Sequence, residues 1–328
     1  MNHVNLGRSG LKVSRLCLGG MNFGADGAPP WCDEPTAHRI IDGFLDAGGN
    51  FIDTADVYTA GQSEAVVGRA IAGKRDAVVL ATKAAGATGR GPNDQGLSRA
   101  HLQQALDASL KRLGVDHVDL YYMHRADPAT PIEETMATLA GFVRAGKVRY
   151  LGCSNFTGSQ IVEAQWAAER VGGIPLVALQ PRYSLISREI EADVLPTAQR
   201  HGLGAVPYGV LAGGILSGKY RRGETPGADN RWGGSMGLLG APGLAAVARH
   251  ALRDRNLGIA EAVNGVAADV GAEPSAVATA WCLSRRGVTS AIIGPRTPEQ
   301  FEGYLAGATL ELPAEALKRL SDASKPPG

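Results

Sequence analysis

The stretch FIDTADVYTAGQSEAVVG, residues 51–68, begins as an apolar run and turns abruptly polar at Asp53. Its first five residues have the composition of a buried strand, and residues 62–72 are predicted to form a helix. A carboxylate therefore ends a core strand, and Tyr58 follows five residues later in the loop before the helix. Asp53 is explained either as a cap of that helix or as part of a functional site.

Short apolar runs alternate with helix-like segments along the whole chain. A hairpin is predicted over residues 4–14, with Gly10 near its turn. Strands are predicted at 15–20, 51–55, 77–83, 117–124, 148–155, 176–184, 203–209 and 290–294. Helices are predicted at 36–49, 62–72, 98–114, 132–145, 158–170, 189–201, 258–270, 274–285 and 297–306, with a helical tail at 313–323. The helix at 98–114 carries boundary signals, since Ser98 is a favoured N-cap and Gly114 a favoured stop.

Steady alternation of strand and helix predicts a parallel sheet joined by crossover helices. The eight predicted strands are apolar throughout, which is typical of strands buried on both faces. Their number and the length of 328 residues fit a single α/β domain, residues 1–328, folded as a (β/α)8 TIM barrel with an N-terminal hairpin. A doubly wound open sheet is the alternative, but no G-x-G-x-x-G turn follows the first strand. The Gly- and Pro-rich segment 220–245 is predicted to be a long loop after strand seven.

Charge and composition argue against several classes of partner. The chain has 33 basic and 32 acidic residues without a block of like charge, so neither nucleic acid nor a membrane is an expected partner. No apolar run reaches the roughly 18 residues of a membrane helix, and the first ten residues lack an apolar signal core. The four cysteines, at 17, 32, 153 and 282, are widely spaced. This spacing favours reduced, buried thiols in a cytoplasmic protein, and no metal site is predicted.

Four polar residues fall where three consecutive predicted strands end. Asp53 ends strand two and Tyr58 follows it, while Lys83 ends strand three and His124 ends strand four. In a barrel of this type the chemistry lies at the carboxyl-terminal rim of the strands, so the four side chains are expected together. Singly, each has an ordinary structural explanation as a helix cap, a half-buried aromatic, a solvated amine or a satisfied imidazole.

The chemistry of the four residues predicts a proton donor. Asp53 would hold Lys83 charged, and the ammonium would lower the pKa of Tyr58 from about 10 toward neutrality. A phenol with a lowered pKa is a better general acid near neutral pH. A neutral His124 would direct a substrate oxygen. Such a set would protonate a carbonyl oxygen while another group supplies a hydride.

The strings DTADVYTAGQSE, ATK and YYMH together resemble the catalytic region of the aldo-keto reductases, and the resemblance extends from GLKVSRLCLGG to TPEQFEGYL. It implies that Asp53, Tyr58, Lys83 and His124 are the catalytic tetrad of that family. It further implies reduction of an aldehyde or ketone by hydride transfer from a nicotinamide, with Tyr58 as the proton donor. Asp53 would then end its strand in order to orient Lys83 and pair with its charge.

The same resemblance implies where the cofactor binds. Ser154, Asn155 and Gln180 would hold the nicotinamide amide, and Tyr208 would stack on the ring. A glycine-rich turn with Lys219 would embrace the pyrophosphate through backbone N–H groups and one cation. The implied cofactor residues are Gly20, Met21, Asp53, Ser154, Asn155, Gln180, Tyr208, Gly209, Leu211, Gly213, Gly214, Ser217, Lys219, Arg231, Gly294, Arg296, Gln300 and Tyr304.

The stretch IIGPRTPEQFEGYL resembles the family's adenosine-phosphate clamp. Arg296 on this clamp and Arg231 on the long loop would bind a 2′-phosphate, which predicts NADPH rather than NADH. Gly303 and Tyr304 depart from the Glu-Asn pair that many members carry, so Tyr304 either stacks on adenine or packs against its neighbours. Met21 stands where an aromatic residue often lines the substrate mouth, and the Ser-Pro-Leu usual after the stacking aromatic is replaced by residues 209–211.

The chain looks most like the branch with potassium-channel β subunits and related bacterial NADPH-dependent reductases. A regulatory subunit that senses the nicotinamide redox state is therefore the alternative function. Channel subunits typically replace the tetrad histidine, and this chain keeps His124, which favours the enzyme. The resemblance extends to bacterial reductases of nucleotide-sugar and polyketide pathways, which suggests secondary metabolism. Similar proteins form tetramers or octamers, and the sequence leaves the oligomeric state open.

The expected substrate is a small carbonyl compound. Its predicted contacts are Phe23, Trp31, Tyr58, His124 and Arg125. Arg125 either binds an anionic or polar group of the substrate or is an ordinary surface cation. Phe23 and Trp31 either line an apolar mouth or pack inside the protein.

Overall fold

The computed structural model describes residues 1–24, 32–228, 230–234, 237 and 241–326. Eight parallel strands form one sheet, in which each strand lies beside the next one along the chain and the last strand, Ala291–Ile293, lies beside the first, Leu16–Gly19. The last two strands meet as well, because the N–H of Ile292 donates to Pro207 O (2.8 Å) and that of Thr289 donates to Ala205 O (2.8 Å). The sheet is thus closed into a (β/α)8 barrel, as the alternating pattern predicts.

The element boundaries follow the predicted order. A two-stranded hairpin, β1 (His3–Asn5) and β2 (Lys12–Ser14), precedes the barrel and confirms the predicted one. The barrel strands are β3 (Leu16–Gly19), β4 (Phe51–Asp53), β5 (Val79–Ala84), β6 (Val118–Met123), β7 (Val148–Ser154), β8 (Leu176–Gln180), β9 (Gly204–Ala205) and β10 (Ala291–Ile293). The helices are α1 (Glu34–Asp46), α2 (Gln62–Ala70), α3 (Arg99–Leu113), α4 (Ile132–Arg144), α5 (Gly158–Arg170), α6 (Val194–Arg200), α7 (Pro242–Ala251), α8 (Asp254–Val270), α9 (Pro274–Ser284), α10 (Pro298–Thr309) and α11 (Ala314–Ala323).

Two apolar clusters share the strands. The smaller one includes Phe51, Val79 and Leu120 and fills the inside of the barrel, while the larger one packs between the strands and the helices. Because side chains alternate along a strand, Asp53 points to the same side as Phe51, and Lys83 to the same side as Val79. Both charged side chains therefore project into the barrel interior at its carboxyl-terminal rim.

The boundary signals of α3 are confirmed. The Ser98 hydroxyl accepts a hydrogen bond from the N–H of His101 (3.3 Å), and Gly114 ends the helix with a φ of 65°. A positive φ costs glycine little, so this residue stops the helix without strain.

Among the predicted boundaries that are wrong, three have a clear local reason. The helix predicted at 189–201 is divided into a 3-10 turn, Glu189–Glu191, and α6. Pro196 explains this division, because proline fits only the first turn of a helix. The strand predicted at 203–209 is reduced to β9, since Pro207 has no N–H to continue the ladder. The long loop predicted at 220–245 ends earlier, because α7 begins at Pro242, a favoured first position of a helix.

All four cysteines are free and buried, which confirms the expectation for their thiols. In the ranges the structure describes, none of the helices combines the length and apolar character that crossing a membrane requires.

A seam of small residues holds α10 against α9. A Cβ placed on Gly307 would lie 2.7 Å from both the backbone oxygen of Ala276 and the Cβ of Thr279. A Cβ on Gly303 would meet only the hydroxyl of Ser275, at 2.7 Å. The two helices therefore approach closely at a point where Gly303 and Gly307 face α9, and this seam positions the segment that carries Arg296.

We expect alanine to be tolerated at Gly303 and not at Gly307. In a helix interior alanine is favoured over glycine by about 1 kcal/mol, and the Ser275 side chain can turn away from a new methyl group at 303. At 307 the methyl group meets backbone and a β-branched carbon, which should cost about 1–3 kcal/mol net. Urea unfolding of Gly303→Ala and Gly307→Ala compares the two, and an equal loss of stability would contradict this account of the seam.

Candidate active site

Lys83 is the centre of a buried polar cluster at the carboxyl-terminal rim. Its ammonium donates to Asp53 Oδ2 (2.5 Å), to the backbone oxygen of Thr54 (2.6 Å) and to the Tyr58 hydroxyl (3.3 Å). The second carboxylate oxygen of Asp53 accepts from the amide of Gln180 (2.9 Å). The structure thus brings the predicted acid, amine and phenol together, and it adds a link from β4 across the barrel to β8.

The fourth predicted residue, His124, lies beside the phenol. The rings of Tyr58 and His124 meet edge to face, with centroids 5.7 Å apart. Burial, together with the charges of Lys83 and Arg125, lowers the pKa of His124 to about 3. The imidazole is therefore neutral at physiological pH, as the residue pattern predicts, and one ring nitrogen can donate a hydrogen bond.

The protonation of the other three residues follows from burial and charge pairing. Burial disfavours the ammonium of Lys83, but Asp53 and Tyr58 outweigh it and raise the pKa of this amine. Burial also raises the pKa of Tyr58, and the nearby charge of Lys83 opposes this without overcoming it. The predicted lowering of the tyrosine pKa is thus wrong for this structure. The phenol holds its proton at neutral pH, beside a cation that can stabilise the phenolate.

Polar side chains continue from this cluster along the rim. The hydroxyl of Ser154 donates to Gln180 O (2.8 Å), and the amide of Asn155 donates to His124 O (3.1 Å). The Tyr208 hydroxyl donates to Asn155 Oδ1 (2.9 Å). Asn155 has a φ of 58°, a left-handed conformation that asparagine tolerates better than most residues. Ser154, Asn155, Gln180 and Tyr208 are therefore neighbours on one side of the tetrad.

A tight turn follows Tyr208 and contains the glycines predicted to approach a phosphate. Gly209, Gly213 and Gly214 have φ values of 73°, 69° and 91°, which favour glycine. Lys219 folds against this turn, since its Cε would lie 2.7 Å from a Cβ on Gly214. The predicted partners Leu211 and Ser217 belong to the same turn: Leu211 is buried, and the Ser217 hydroxyl donates to Gly214 O (2.8 Å).

Two arginines approach each other beyond this turn. Burial, and then the charge of Arg296, lowers the pKa of Arg231. The Arg231 guanidinium also lies over the ring of Trp232, 5.7 Å from its centroid. Arg296 is next to Gln300, whose side-chain oxygen accepts from the Arg296 N–H (3.0 Å). Two neighbouring guanidinium groups can together bind an anion such as a phosphate.

The remaining residues of the predicted clamp have packing roles. Gly294 accepts a hydrogen bond from the Asn22 amide (3.0 Å). Tyr304 packs on the apolar core, burial raises its pKa to about 12, and its hydroxyl interacts with the backbone of Gly294. Of the two alternatives for Tyr304, packing is the one that the structure displays. Gly303 faces α9 in the seam, which explains the departure from the family pattern at this position.

The predicted substrate residues divide into three groups. Arg125 is exposed, and Met21 is 36% exposed on a short 3-10 turn that begins at Gly20. Phe23 is fully buried in the apolar core, which argues against its predicted place in the substrate mouth. Trp31 lies outside the described residues.

A second buried polar cluster behind the rim was not anticipated. Glu64 is 0% exposed and accepts from Thr82 (2.5 Å) and from the Arg112 guanidinium (2.7 Å). Asp56 lies beside it, 3% exposed, and among the described residues neither of its carboxyl oxygens has a hydrogen-bond partner. The acidic residues of the DTADVYTAGQSE string were the available signal. The periodicity of the string does not reveal which of them turn inward.

The loop that carries Tyr58 is strained. Thr59 and Ala60 have φ values of 46° and 53°, and Gly61 follows at 90°. A left-handed conformation costs a non-glycine residue about 1–2 kcal/mol, and it is most unusual for a β-branched one. The fold therefore stores strain directly after the phenol.

Comparison with known proteins identifies the family. Residues 15–325 match the model of the Aldo/keto reductase family. The uncharacterized oxidoreductase YrpG of Bacillus subtilis is 40% identical over 100% of this chain and 97% of that protein. A probable voltage-gated potassium channel subunit beta of Oryza sativa is 37% identical over 92% of this chain and 89% of its own. Norsolorinic acid reductase of Aspergillus flavus is 33% identical over 96% of this chain and 79% of that protein.

The chain belongs to the aldo/keto reductase family. Members of this family are oxidoreductases that generally use nicotinamide cofactors and act on small carbonyl compounds. The relatives at 40% and 37% identity also confirm the predicted branch, with its bacterial oxidoreductases and potassium-channel β subunits.

Asp56 should make stability fall as the pH rises. Burial, and then the charge of Glu64, raises the pKa of Asp56 to about 7, while an unfolded chain releases this proton near pH 4. Between these values the folded state binds the extra proton, so stability is lost as the pH rises from about 4 to about 7. Asp56→Asn cannot titrate, and it should gain roughly 2–4 kcal/mol relative to the wild type between pH 4 and pH 8.

Urea unfolding at several pH values measures this difference. The exposed Asp46→Asn is the matched control, since it removes the same formal charge without burial. His124 contributes an opposite slope between about pH 6.5 and pH 3, and this slope cancels in the difference because both proteins contain it. Parallel curves for Asp56→Asn and the wild type would show that the carboxyl group is ionised in the folded protein.

Proposed function

We propose that this protein is an NADPH-dependent reductase that converts an aldehyde or ketone to an alcohol, with Tyr58 as the proton donor. One observation carries the proposal. The Tyr58 hydroxyl is 3.3 Å from an ammonium that is itself paired with Asp53 at 2.5 Å, inside a barrel rim with a neutral histidine alongside. This arrangement supplies a proton from Tyr58, a positive charge that stabilises the resulting phenolate, and a hydrogen bond from His124 that directs the substrate.

The residues act in a defined order in this proposal. His124 donates a hydrogen bond to the substrate carbonyl oxygen and turns that oxygen toward the phenol. The nicotinamide, held by Ser154, Asn155, Gln180 and Tyr208, would supply the hydride to the carbonyl carbon. Tyr58 gives its proton to the oxygen, and Lys83 stabilises the phenolate that is left. Asp53 keeps Lys83 charged, and water returns the proton to Tyr58 after the alcohol leaves.

The high pKa of Tyr58 is compatible with this role. A phenol whose pKa is raised above the ordinary value remains protonated across the neutral range, so Tyr58 carries the proton that it donates. Its proton leaves only as negative charge develops on the substrate oxygen, when the Lys83 charge at 3.3 Å becomes most favourable. The rate of reduction should then fall only on the alkaline side of the pH profile.

The residues that would hold the cofactor fit a dinucleotide. Ser154, Asn155 and Gln180 offer amide and hydroxyl groups next to the tetrad, and Tyr208 offers a ring. The glycine turn, with Lys219 folded on it, suits a pyrophosphate, because glycine lets an anion approach the backbone closely and the lysine adds a positive charge. Arg231 and Arg296 lie further along and would bind the 2′-phosphate of NADPH.

A sensor of the nicotinamide redox state is the competing proposal, favoured by the relatives named as potassium channel subunits. The complete tetrad with a neutral His124 supports turnover instead. We propose further that the protein acts in the cytoplasm, on a substrate of secondary metabolism, as a homo-oligomer. An NADPH-consumption screen of aldehydes, ketones, quinones and nucleotide-linked ketosugars would separate the enzyme from the sensor. Tight NADPH binding without reduction of any of these would favour the sensor.

Tyr58→Phe should abolish most turnover and leave NADPH binding nearly unchanged. The substitution removes only the hydroxyl, and loss of a general acid typically costs about 10²–10⁴ in rate. Steady-state kcat and a fluorescence titration of NADPH measure the two effects. Tyr150→Phe is the matched control, because Tyr150 lies near the amino-terminal end of β7, away from the rim. Normal turnover by Tyr58→Phe would exclude the proposed mechanism.

Arg296→Ala should weaken NADPH by roughly ten- to a hundredfold and NADH far less. A hydrogen bond to a charged group is worth about 1.5–3 kcal/mol, and only NADPH carries the 2′-phosphate. Calorimetric titration of both cofactors tests this, with the exposed Arg286→Ala as a control on the opposite side of the barrel. Equal weakening of NADPH and NADH would place Arg296 away from the 2′-phosphate, as would equal affinities for the two in the native protein.

A further inference from the structure

We infer that Thr59 is a positioning residue for the proton donor: its hydroxyl clamps the strained turn after Tyr58 to the segment Gly20–Gly24. The inference rests on the proposed role of Tyr58. It concerns what holds the phenol in place, which neither the family match nor the tetrad explains.

The turn after Tyr58 is a left-handed one that only neighbouring contacts can maintain. Thr59 and Ala60 have φ/ψ values of 46°/43° and 53°/37°, and Gly61 continues at 90°/−10°. Such conformations persist in non-glycine residues only where the surroundings determine them. In the absence of these contacts the chain would relax, and Tyr58 would be the first side chain to move.

The Thr59 hydroxyl supplies two of these contacts at once. It donates to the backbone oxygen of Phe23 (2.8 Å) and accepts from the N–H of Ser63 (3.0 Å) in the first turn of α2. A hydroxyl has one donor and two acceptor sites, so both bonds form together. The Thr59 hydroxyl therefore joins the turn to α2 on one side and to the chain after β3 on the other, and this pair of hydrogen bonds is called the Thr59 clamp below.

The segment Gly20–Gly24 is shaped to receive Thr59. Gly24 has a φ of 113°, and a Cβ there would lie 2.9 Å from the Thr59 hydroxyl oxygen. The Ser63 hydroxyl donates to Gly20 O (2.7 Å) and completes the junction. Gly20 and Met21, predicted to touch the cofactor, are thereby linked to the loop that carries the proton donor.

The phenol depends on this junction for its distance to Lys83. On its other side Tyr58 is held by its own N–H, which donates to Ala55 O (3.2 Å), by the 3.3 Å contact from Lys83 and by the edge-to-face contact with His124. Loss of the clamp should lengthen the contact from Lys83 to the phenol. The stabilisation of the phenolate should fall with it, so kcat and the pH profile should both change.

Three substitutions at Thr59 test the inference. Thr59→Val keeps the shape and removes the hydroxyl. Thr59→Gly also removes the hydroxyl, and glycine adopts many conformations besides the left-handed one, so the turn is no longer fixed. This variant is not strained and remains informative if the valine protein does not fold. Thr59→Ser keeps the hydroxyl without the β-branch. Thr197→Val is the control for loss of a threonine hydroxyl, since Thr197 lies on α6 and its hydroxyl donates to Asp193 Oδ1 (3.3 Å) just before that helix.

For Thr59→Val and Thr59→Gly we expect kcat to fall about tenfold or more, while the NADPH dissociation constant changes less than about threefold. The alkaline limb of the pH–rate profile should shift upward, because the phenol is then less stabilised as an anion. Thr59→Ser should restore both kcat and the profile, and Thr197→Val should leave both unchanged.

Wild-type kcat and an unshifted profile in Thr59→Gly would overturn the inference. So would a fall in kcat for all four variants, including Thr197→Val, since that would be a general loss of active protein. The proposed function fails in a distinguishable way, because it predicts a loss for Tyr58→Phe whatever Thr59 does. Inactive Tyr58→Phe together with fully active Thr59→Gly would leave the mechanism intact and remove only the clamp.

Discussion

The ion pair between Lys83 and Asp53 lies inside the barrel, where the side chains are 0% and 3% exposed. Burying two charges costs several kcal/mol per ion, and the attraction between them recovers this only with further hydrogen bonds. Two such bonds are present. The backbone oxygen of Thr54, just after β4, accepts from Lys83, and the amide of Gln180 on β8 donates to Asp53. Any displacement of these strands would leave a buried charge uncompensated, so the pair restricts the rim to one arrangement.

The rest of the site is arranged around this fixed point in order of decreasing rigidity. Lys83 and Asp53 lie on barrel strands, and His124 follows β6 directly. Tyr58 lies on a loop whose strain is held by side-chain contacts. Arg231 lies on the long segment after the glycine turn, part of which is outside the described residues. Groups that need the most accurate placement are thus on the most rigid elements, which is how a site preserves its geometry.

The barrel and the position of Asp53, Tyr58, Lys83 and His124 together at its rim were predictable because both follow from local patterns. Apolar runs at regular spacing determine the strands, and the residue at each strand end must lie at the rim. The pKa direction of Tyr58 was not predictable in this way, because it is the difference between burial and the attraction of Lys83. The burial of Phe23 was not predictable either, because a single aromatic residue in a loop can face the apolar core or the substrate mouth. The left-handed turn at Thr59 was hidden, because neither threonine nor alanine signals a positive φ.

The adenosine end of the proposed cofactor site illustrates how packing and binding constrain each other. Gly303 lies in the seam between α9 and α10, where a side chain as large as glutamate would have to displace Ser275. A larger residue at this position would therefore share the seam with Ser275, which links the identity of residue 303 to the packing of α10 on α9. Arg231 and Arg296 are near enough for the charge of one to lower the pKa of the other. Like charges repel, so an anion that contacted both guanidinium groups would be attracted by each of them. In the proposed function this anion is the 2′-phosphate of NADPH, so the packing of α10 on α9, which places the segment with Arg296, would bear on cofactor selection.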